Sequence, residues 1–453
     1  MDLSVVILAA GKGTRMRSAL PKVLHELAGK PLLEHVVDAA RQLGTDDIHV
    51  VYGHGGEQVT EQLADLSVHW VLQEPQLGTG HAVAQALPTI DDARRVLVLY
   101  GDVPMIAVAD IAPLVASEEV GVLTVKLADP TGYGRIIRNQ DGSIARIVEH
   151  KDADQAERMI TEINTGIIAV GAADLKRWVA NLDNRNVQGE FYLTDVIEMA
   201  SRDGHAVRAH RASSEFDVAG VNDRVQLAKL ERIYQRRQAD ALMRDGATLR
   251  DPDRIDIRGS VACGEDCDID VNVVFEGRVK LGKNVRIGPN NVLRNVVIGD
   301  GVEILANCVL EDCEVGAQTR IGPFARLRPE AVLADHVHIG NFVEIKKSTV
   351  ASGSKVNHLT YIGDTTIGSG VNVGAGTITC NYDGANKHRT VIGDNAFIGS
   401  CTQLVAPVEV GAGATIGAGS TIVRNAPPEK LTLSRAKQVT IEAWKRPIKK
   451  PKS

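Results

Sequence analysis

The sequence predicts an α/β domain followed by a parallel β-helix, because it carries two periodicities that cannot belong to one fold. Up to about residue 224 of the 453, short aliphatic runs alternate with amphipathic stretches. That alternation builds a mostly parallel sheet with helices on its faces. From about residue 246, aliphatic residues recur every six positions. Six fits neither a helix nor a hairpin and gives three short strands per coil. A third observation is chemical: a loop with two glycines and two cations follows the first aliphatic run.

The first run, VVILAA (5–10), reads as a buried strand that stops at two alanines and passes into GKGTRM (11–16). Gly11 and Gly13 let backbone N–H groups approach phosphate oxygens, and Lys12 and Arg15 add charge. A dinucleotide fingerprint would need a third glycine where Met16 stands, and a Walker loop would need G-x-x-x-x-G-K-[ST]. This is a third kind of phosphate loop. Lys22 follows Pro21, so a fixed turn presents a lysine to the same site. PLLEHVVDAARQL (31–43) has helical spacing and IHVVYG (48–53) reads as a strand. QEPQLGTGHAV (73–83) sets Gly78 and Thr79 just before a helix, whose N-terminus can meet a polar ligand. RRVLVLYGD (94–102) is a strand ending in Asp102, at the carboxyl end where α/β sheets collect ligands. Asp102 reads either as a Mg²⁺ ligand or as the cap of the next turn.

VQLAKLERIYQRRQADALMRD (225–245) is one continuous helical connector with Leu227, Leu230 and Ile233 on one face. The domains expected are therefore 1–224, a linker over 225–245, and 246–453. In the last, Ile392, Ile398, Leu404, Val410, Ile416 and Ile422 form one series and Ile321, Leu327, Leu333, Ile339 and Ile345 another. Glycine often follows the aliphatic, as at Ile287-Gly288, Ile298-Gly299 and Ile398-Gly399. Aromatic residues make up only 4% of the chain, which suits thin coils packed with aliphatics. NYDGANKH (381–388) breaks the rhythm: Thr379 to Ile392 is one residue more than two repeats. A loop leaving a solenoid at one point is where function sits. It carries Asn381, Tyr382 and Lys387, suited to a polar or anionic substrate. His358, in NHLTY (357–361), reads as a general base or as one of thirteen histidines with a structural role.

A net charge of −6 argues against a general nucleic-acid binder. No stretch has the length and apolarity of a membrane helix, and Met-Asp-Leu-Ser lacks a secretory n-region, so a cytoplasmic protein is expected. All six cysteines lie in the second half and read as packing residues. Cys263-x-x-x-Cys267 is half of a zinc site without a second pair. The basic tail KRPIKKPKS (445–453) reads as a solvated chain end.

The phosphate loop with its P-K and strand-terminal G-D, followed by TGYGRI (131–136), IVEHKD (147–152), EINTGI (162–167) and AGVND (219–223), resembles the sugar-1-phosphate nucleotidyltransferase family. The resemblance implies a Rossmann-like domain in which Leu8, Ala9, Ala10, Gly11, Gln73, Gly78, Thr79, Tyr100 and Gly101 meet a nucleotide. It implies that Gly134, Glu149 and Asn164 hold the sugar, and Asp102 and Asn222 a Mg²⁺. A sugar-1-phosphate oxygen would attack the α-phosphorus of the triphosphate in line, with Arg15 and Lys22 on the phosphates. Read alone, Arg15 and Lys22 are equally solvated surface charges. Glu149, followed by His150 and Lys151, reads equally as part of a surface ion pair.

IGPFARLRPEA (321–331), NFVEIKKS (341–348), KVNHLTYIGD (355–364) and GAGTITCNYDGANKH (374–388) resemble the acetyltransferase half of the bifunctional bacterial enzymes that make UDP-N-acetylglucosamine. With the nucleotidyltransferase half in front, the likeness spans nearly the whole chain. It implies acetyl transfer from acetyl-CoA to glucosamine-1-phosphate, then uridylyl transfer from UTP to N-acetylglucosamine-1-phosphate with loss of pyrophosphate. In that reading His358 takes a proton from the attacking amine, and Arg328, Lys346 and Lys387 pair with the sugar phosphate. Tyr361 and Asn372 position the sugar. Ala375, Asn381, Tyr382, Ser400, Ala418 and Arg435 lie along the coenzyme A. The resemblance also implies a left-handed helix, a homotrimer formed through it, and a product feeding peptidoglycan and lipopolysaccharide synthesis. UTP rests on the resemblance alone.

Two rival readings stand beside this one. A monofunctional nucleotidyltransferase could use its β-helix only for regulation or assembly, as in ADP-glucose-type enzymes; His358 and the 381–388 loop argue against that. A pure assembly protein with a vestigial phosphate loop is opposed by intact Lys22, Asp102 and Asn222.

Overall fold

The computed structural model describes residues 2–11, 13–53 and 55–449. Lys12, one of the two cations expected in the phosphate loop, and the last four residues of the basic tail lie outside them. The chain divides into two compact units, Met1–Gln235 and Arg236–Ser453.

The first unit is built on a nine-stranded sheet. Its main path runs through strands Val207–Arg211, Val120–Lys126, Glu162–Gly171, Arg95–Tyr100, Leu3–Leu8, Ile48–Gly53 and His69–Gln73. Glu162–Gly171 is antiparallel to both neighbours, and the other pairs on this path are parallel. Strand Leu3–Leu8 is buried throughout, and its residues divide by parity. Val5 and Ile7 join Leu97 and Leu99 in one hydrophobic cluster, while Val6 and Leu8 join Val96 and Val98 in another. Both faces are covered by helices, so the strand reads as an unbroken apolar run instead of an alternation. Helices Leu32–Arg41 and Thr79–Ala86 fall on the two helical stretches of the sequence. Strand Leu3–Leu8 stops before the two alanines, leaving them free to line what lies beyond the sheet.

The second unit is one 24-stranded parallel sheet wound into a β-helix. Most successive coils pair at 17 or 18 residues, as in Val350 with Ile367 and Ile255 with Val273. Both aliphatic series point inward and are at most 3% exposed. At Gly399 an added Cβ would lie 2.4 Å from the Ala418 backbone nitrogen, so stacking of the coils forbids a side chain there. Left-handed residues mark the corners. Asn272, Asn290 and Asn307 (φ 59°, 60° and 62°) occupy one corner column, where asparagine tolerates the conformation. Phe324, Phe342 and Leu359 (φ 56°, 55° and 50°) continue it, where bulky residues normally do not.

The 381–388 insertion is longer than the sequence suggests. Ile367 pairs with Ile392, so this coil has 25 residues where the one before has 17. Counting from Thr379 hid this, because the loop both leaves and rejoins the coil between strand residues that keep the aliphatic pattern. Helix Arg224–Arg244 serves both units. Leu230 packs with Met16 and Val221, flanked by Leu227 and Ile233, while Ala239 and Leu242 belong to the β-helix core. All six cysteines are free, and Cys267, Cys308 and Cys313 are buried in that core. Among the described residues no cluster of potential metal ligands includes the Cys263–Cys267 pair.

Candidate functional site

In the first unit the strand ends open onto a cavity of about 510 Å³. Leu8, Ala9, Ala10, Gly11, Lys22, Gln73, Gly78, Thr79, Tyr100 and Asp102 line it, ten of the residues expected to meet the nucleotide or its phosphates. Gly13 has φ 57°, and an added Cβ there would sit 2.8 Å from Cβ of Lys22. Glycine therefore lets the loop fold against the lysine. Gly101 packs against Ala9, Val23 and Leu33 behind the lining instead of on it.

At one end of the cavity four polar side chains converge. Lys22 Nζ pairs with Oδ2 of Asp102 and donates to Oδ1 of Asn222 at 3.4 Å. Arg15 donates to the same Asn222 oxygen at 2.7 Å. The Val221 N–H donates to the Asp102 carbonyl at 2.8 Å, which ties residue 222 to the end of strand Arg95–Tyr100. Asp102 and Asn222 thus aim two hard oxygen donors at one point already held by a cation, the donor chemistry that suits Mg²⁺.

The three residues expected to hold the sugar lie beyond Tyr100. Asn164 donates its N–H to the Gly134 carbonyl at 2.9 Å, and the Glu149 carboxylate faces the Cα of Gly134. Glu149 is not in a surface ion pair: it accepts the Thr194 hydroxyl at 3.2 Å, while Lys151 binds Gln188 and His150 meets Arg135. Burial pushes the Glu149 carboxyl up. Burial, and after it the charges of Glu149 and Asp102, likewise raise the Tyr100 phenol far above its usual range.

Several lining residues have no signal in the sequence. The Gln76 amide donates to the Ala10 carbonyl, and Glu190 lines the cavity. Segment 188–195 wraps the start of helix Thr79–Ala86: Gly80 donates to the Phe191 carbonyl at 2.8 Å, and Leu193 donates to the Thr79 hydroxyl at 3.1 Å. These contacts join residues more than a hundred apart, and nothing periodic marks either partner.

In the second unit the β-helix interior is filled, so polar groups stand outside it. His358 Nδ1 lies 2.9 Å from Oδ1 of Asn341, its neighbour on the coil before. An amide oxygen can only accept, so Nδ1 carries the hydrogen and Nε2 keeps a free lone pair. His358 borders a cavity of about 320 Å³ with Arg320 and His338. Asn357, missed by the sequence reading, lines the same cavity with a buried Oδ1 that has no hydrogen-bond partner among the described residues.

From His358 a column of small corner residues descends coil by coil. Gly376 donates to the His358 carbonyl, Cys401 to that of Ala375, and Gly419 to that of Ser400. Arg435 comes next, its Cδ beside Gly419. Ala375, Ser400, Ala418 and Arg435 therefore share one edge with His358. Around the Leu359 corner lies a basic cluster. Lys387 lies close enough to Lys346 to push its amine down, and Arg328 adds to the effect. Arg328 is paired with Glu344 at 2.7 Å, and Tyr361 pairs in register with Glu344. The Tyr361 hydroxyl and Asn381 amide flank Gly363. Tyr382 is exposed on the loop, bridged to Lys387. Asn372 pairs with Lys355 and Phe397, on the side of the coil away from this cluster.

Comparisons with known proteins cover both units. Residues 5–162 match the MobA-like NTP transferase domain, 257–343 the GMPPB C-terminal domain, and 389–424 six bacterial transferase hexapeptide repeats. The protein named bifunctional protein GlmU from Alkalilimnicola ehrlichii is 57% identical over 99% of this chain and 97% of its own. Its namesake from Methylococcus capsulatus is 59% identical over 99% of this chain and 98% of its own. A third, from Janthinobacterium sp. (strain Marseille), is 57% identical over 99% of both.

Proposed function

The chain belongs to the GlmU family of bifunctional enzymes, and from that premise we propose which of its residues carry each of two reactions. It transfers acetyl from acetyl-CoA to glucosamine-1-phosphate and uridylyl from UTP to N-acetylglucosamine-1-phosphate, making UDP-N-acetylglucosamine. Such a product serves cell-wall synthesis. The observation that carries the assignment of residues is the convergence of Lys22, Asp102, Asn222 and Arg15 at one end of the nucleotide cavity.

In uridylyl transfer the nucleotide lies in that cavity against Gly11, Gln73, Gly78 and Thr79. Asp102 and Asn222 would hold a Mg²⁺, whose charge offsets that building on the phosphates. Arg15 and Lys22 neutralise more of it while the sugar phosphate oxygen attacks the α-phosphorus in line. Glu149, Gly134 and Asn164 orient the sugar. In acetyl transfer His358 Nε2 takes the proton from the glucosamine amine as that amine attacks the thioester, with Asn341 fixing the ring. Arg328, Lys346 and Lys387 receive the phosphate, as cations should for a dianion. Tyr361 positions the sugar, Asn372 would reach it only from the neighbouring copy of the trimer, and coenzyme A follows Ala375, Ser400, Ala418 and Arg435, with Asn381 and Tyr382 beside it.

We assign a homotrimer to the β-helix. Support comes from Phe324, Phe342 and Leu359, which are 49%, 55% and 64% exposed in one corner column beside His358. Phe324 and Phe342 stack at 5.2 Å. An exposed apolar ridge is costly in water and suits burial against another copy. No helix among the described residues is long and apolar enough to cross a membrane, in keeping with a cytoplasmic enzyme. The deciding experiment measures thiol release from acetyl-CoA with and without glucosamine-1-phosphate, on wild type and His358→Ala. Acceptor-dependent release that collapses in the variant supports the base; release that survives assigns it elsewhere.

A further inference from the structure

Asp47, His49 and His69 meet at the end of the first unit's sheet opposite the nucleotide cavity. His49 and His69 sit near the starts of strands Ile48–Gly53 and His69–Gln73 and pair in register. Their Nε2 atoms lie 3.1 Å and 3.6 Å from the same oxygen, Asp47 Oδ1. All three ligand atoms fall within 4.8 Å of one another. A tetrahedral ion with bonds of about 2.0–2.2 Å spaces its ligand atoms by roughly 3.4 Å, so small side-chain rotations close this set. Among the described residues no other group of three His, Cys, Asp or Glu side chains comes so close.

The surroundings hold the three groups in ligand orientation. The other carboxylate oxygen, Oδ2, accepts the Ser4 hydroxyl at 2.5 Å and pairs with Arg94 at 3.2 Å. Oδ1 is thereby turned toward both imidazoles, as outer hydrogen bonds orient metal-binding carboxylates. Hydrogen accounting fixes the buried ring. The Thr89 hydroxyl spends its one hydrogen on the Ala86 carbonyl at 2.9 Å, so toward His49 Nδ1, 3.4 Å away, it can only accept. The tautomer with its hydrogen on Nδ1, toward Thr89, leaves the Nε2 lone pair directed at the point where Asp47 Oδ1 and His69 meet. His69, exposed at the sheet edge, leaves the fourth position open to water.

We propose that Asp47, His49 and His69 bind one zinc-like divalent ion that clamps the outer two strands of this sheet together. Nitrogen and carboxylate donors in this number suit Zn²⁺ and are a poor cage for Mg²⁺. The clamp is distinct from the nucleotide end, since it uses none of that cavity's residues.

The test uses the full chain without a histidine tag, stripped by chelation and titrated with Co²⁺ and then Zn²⁺. One Co²⁺ per chain should give the visible spectrum of a tetrahedral nitrogen and oxygen site without a thiolate charge-transfer band, which excludes the cysteines. Zn²⁺ should displace it and raise the unfolding temperature of the first unit. His69→Ala, on an exposed edge residue, should lose both responses and keep uridylyl transfer, while Asp102→Asn should keep both. The proposal fails if His69→Ala retains the spectrum, or if none forms at micromolar Co²⁺. In either case the cluster is a hydrogen-bonded one that holds no metal ion.

Discussion

In the first unit the groups proposed to meet substrate line a cavity of about 510 Å³ at the end of a sheet; in the second they stand outside a coil whose interior is closed. The difference comes from the two architectures. A twisted parallel sheet leaves a crevice beyond its carboxyl ends, so one chain encloses its ligand there. A hexapeptide coil is packed to its axis by Ile398, Leu404 and their equivalents, so it can offer only edges and faces. The proposed first site is built by one chain, and the proposed second, on an open edge, would take its missing wall from another copy.

The largest effects that test this contrast are separable losses of activity. His358→Ala should lower acetyl transfer by about 10²–10⁴-fold and leave uridylyl transfer intact. Lys22→Ala should do the reverse. Thiol release and pyrophosphate release, measured on the same preparations, check the pair. A variant that damages both reactions would mean that the units do not act independently.

Next in size is the missing wall. Phe342→Glu puts a charge on the exposed ridge next to Phe324, 5.2 Å away in the stack. Sedimentation should show smaller species, with acetyl transfer lost and uridylyl transfer kept. If a dissociated Phe342→Glu chain acetylates at the wild-type rate, the β-helix site is complete within one copy and the contrast breaks.

A stability change of middling size separates the two cores. Ile398 is fully buried in a coil only one side chain deep, so Ile398→Ala should cost about 2–5 kcal/mol, read as a lower denaturant midpoint for the second unit. The first unit's transition should stay where it is.

The same contrast explains what could be read from the sequence. The β-helix was legible because each inward side chain recurs at a fixed six-residue step, and a period survives without knowledge of any contact. Loop 381–388 was found for the same reason and mis-sized for the same reason, because Thr379 and Ile392 look like repeat positions whatever separates them. In the α/β unit, the residues on the loop after strand Leu3–Leu8 and at the end of strand Arg95–Tyr100 were legible because each follows its strand directly. Gln76, Glu190 and Phe191 were not. Gln76 and Glu190 line the cavity and Phe191 braces the helix beside it, all from loops that only the fold brings together, as Gly80 meeting Phe191 shows. Asn357 had no signal either, since its orphaned oxygen is a property of packing.

The smallest effect is on pH dependence and again belongs to the first unit alone. Asp195 begins helix Asp195–Arg202, next to the Thr194 that holds Glu149. Burial, then Glu198, pushes its carboxyl up to about 6. The folded chain therefore holds this proton more tightly than the unfolded chain, whose aspartate releases it near 4. Stability present below the unfolded value is lost as pH rises toward 6, and above 6 the folded state carries an ill-solvated charge. Asp195→Asn removes that charge. It also gives up an acid at a helix N-terminus, a smaller favourable term at a partly exposed site. The net gain expected above pH 6 is about 1 kcal/mol, well below the full shift because the group is partly solvated. No gain is expected near pH 4. Denaturant unfolding at the two pH values checks both, with the β-helix transition as an internal reference that should not move. A gain of equal size at both pH values would mean that the side chain acts through packing and not through its charge.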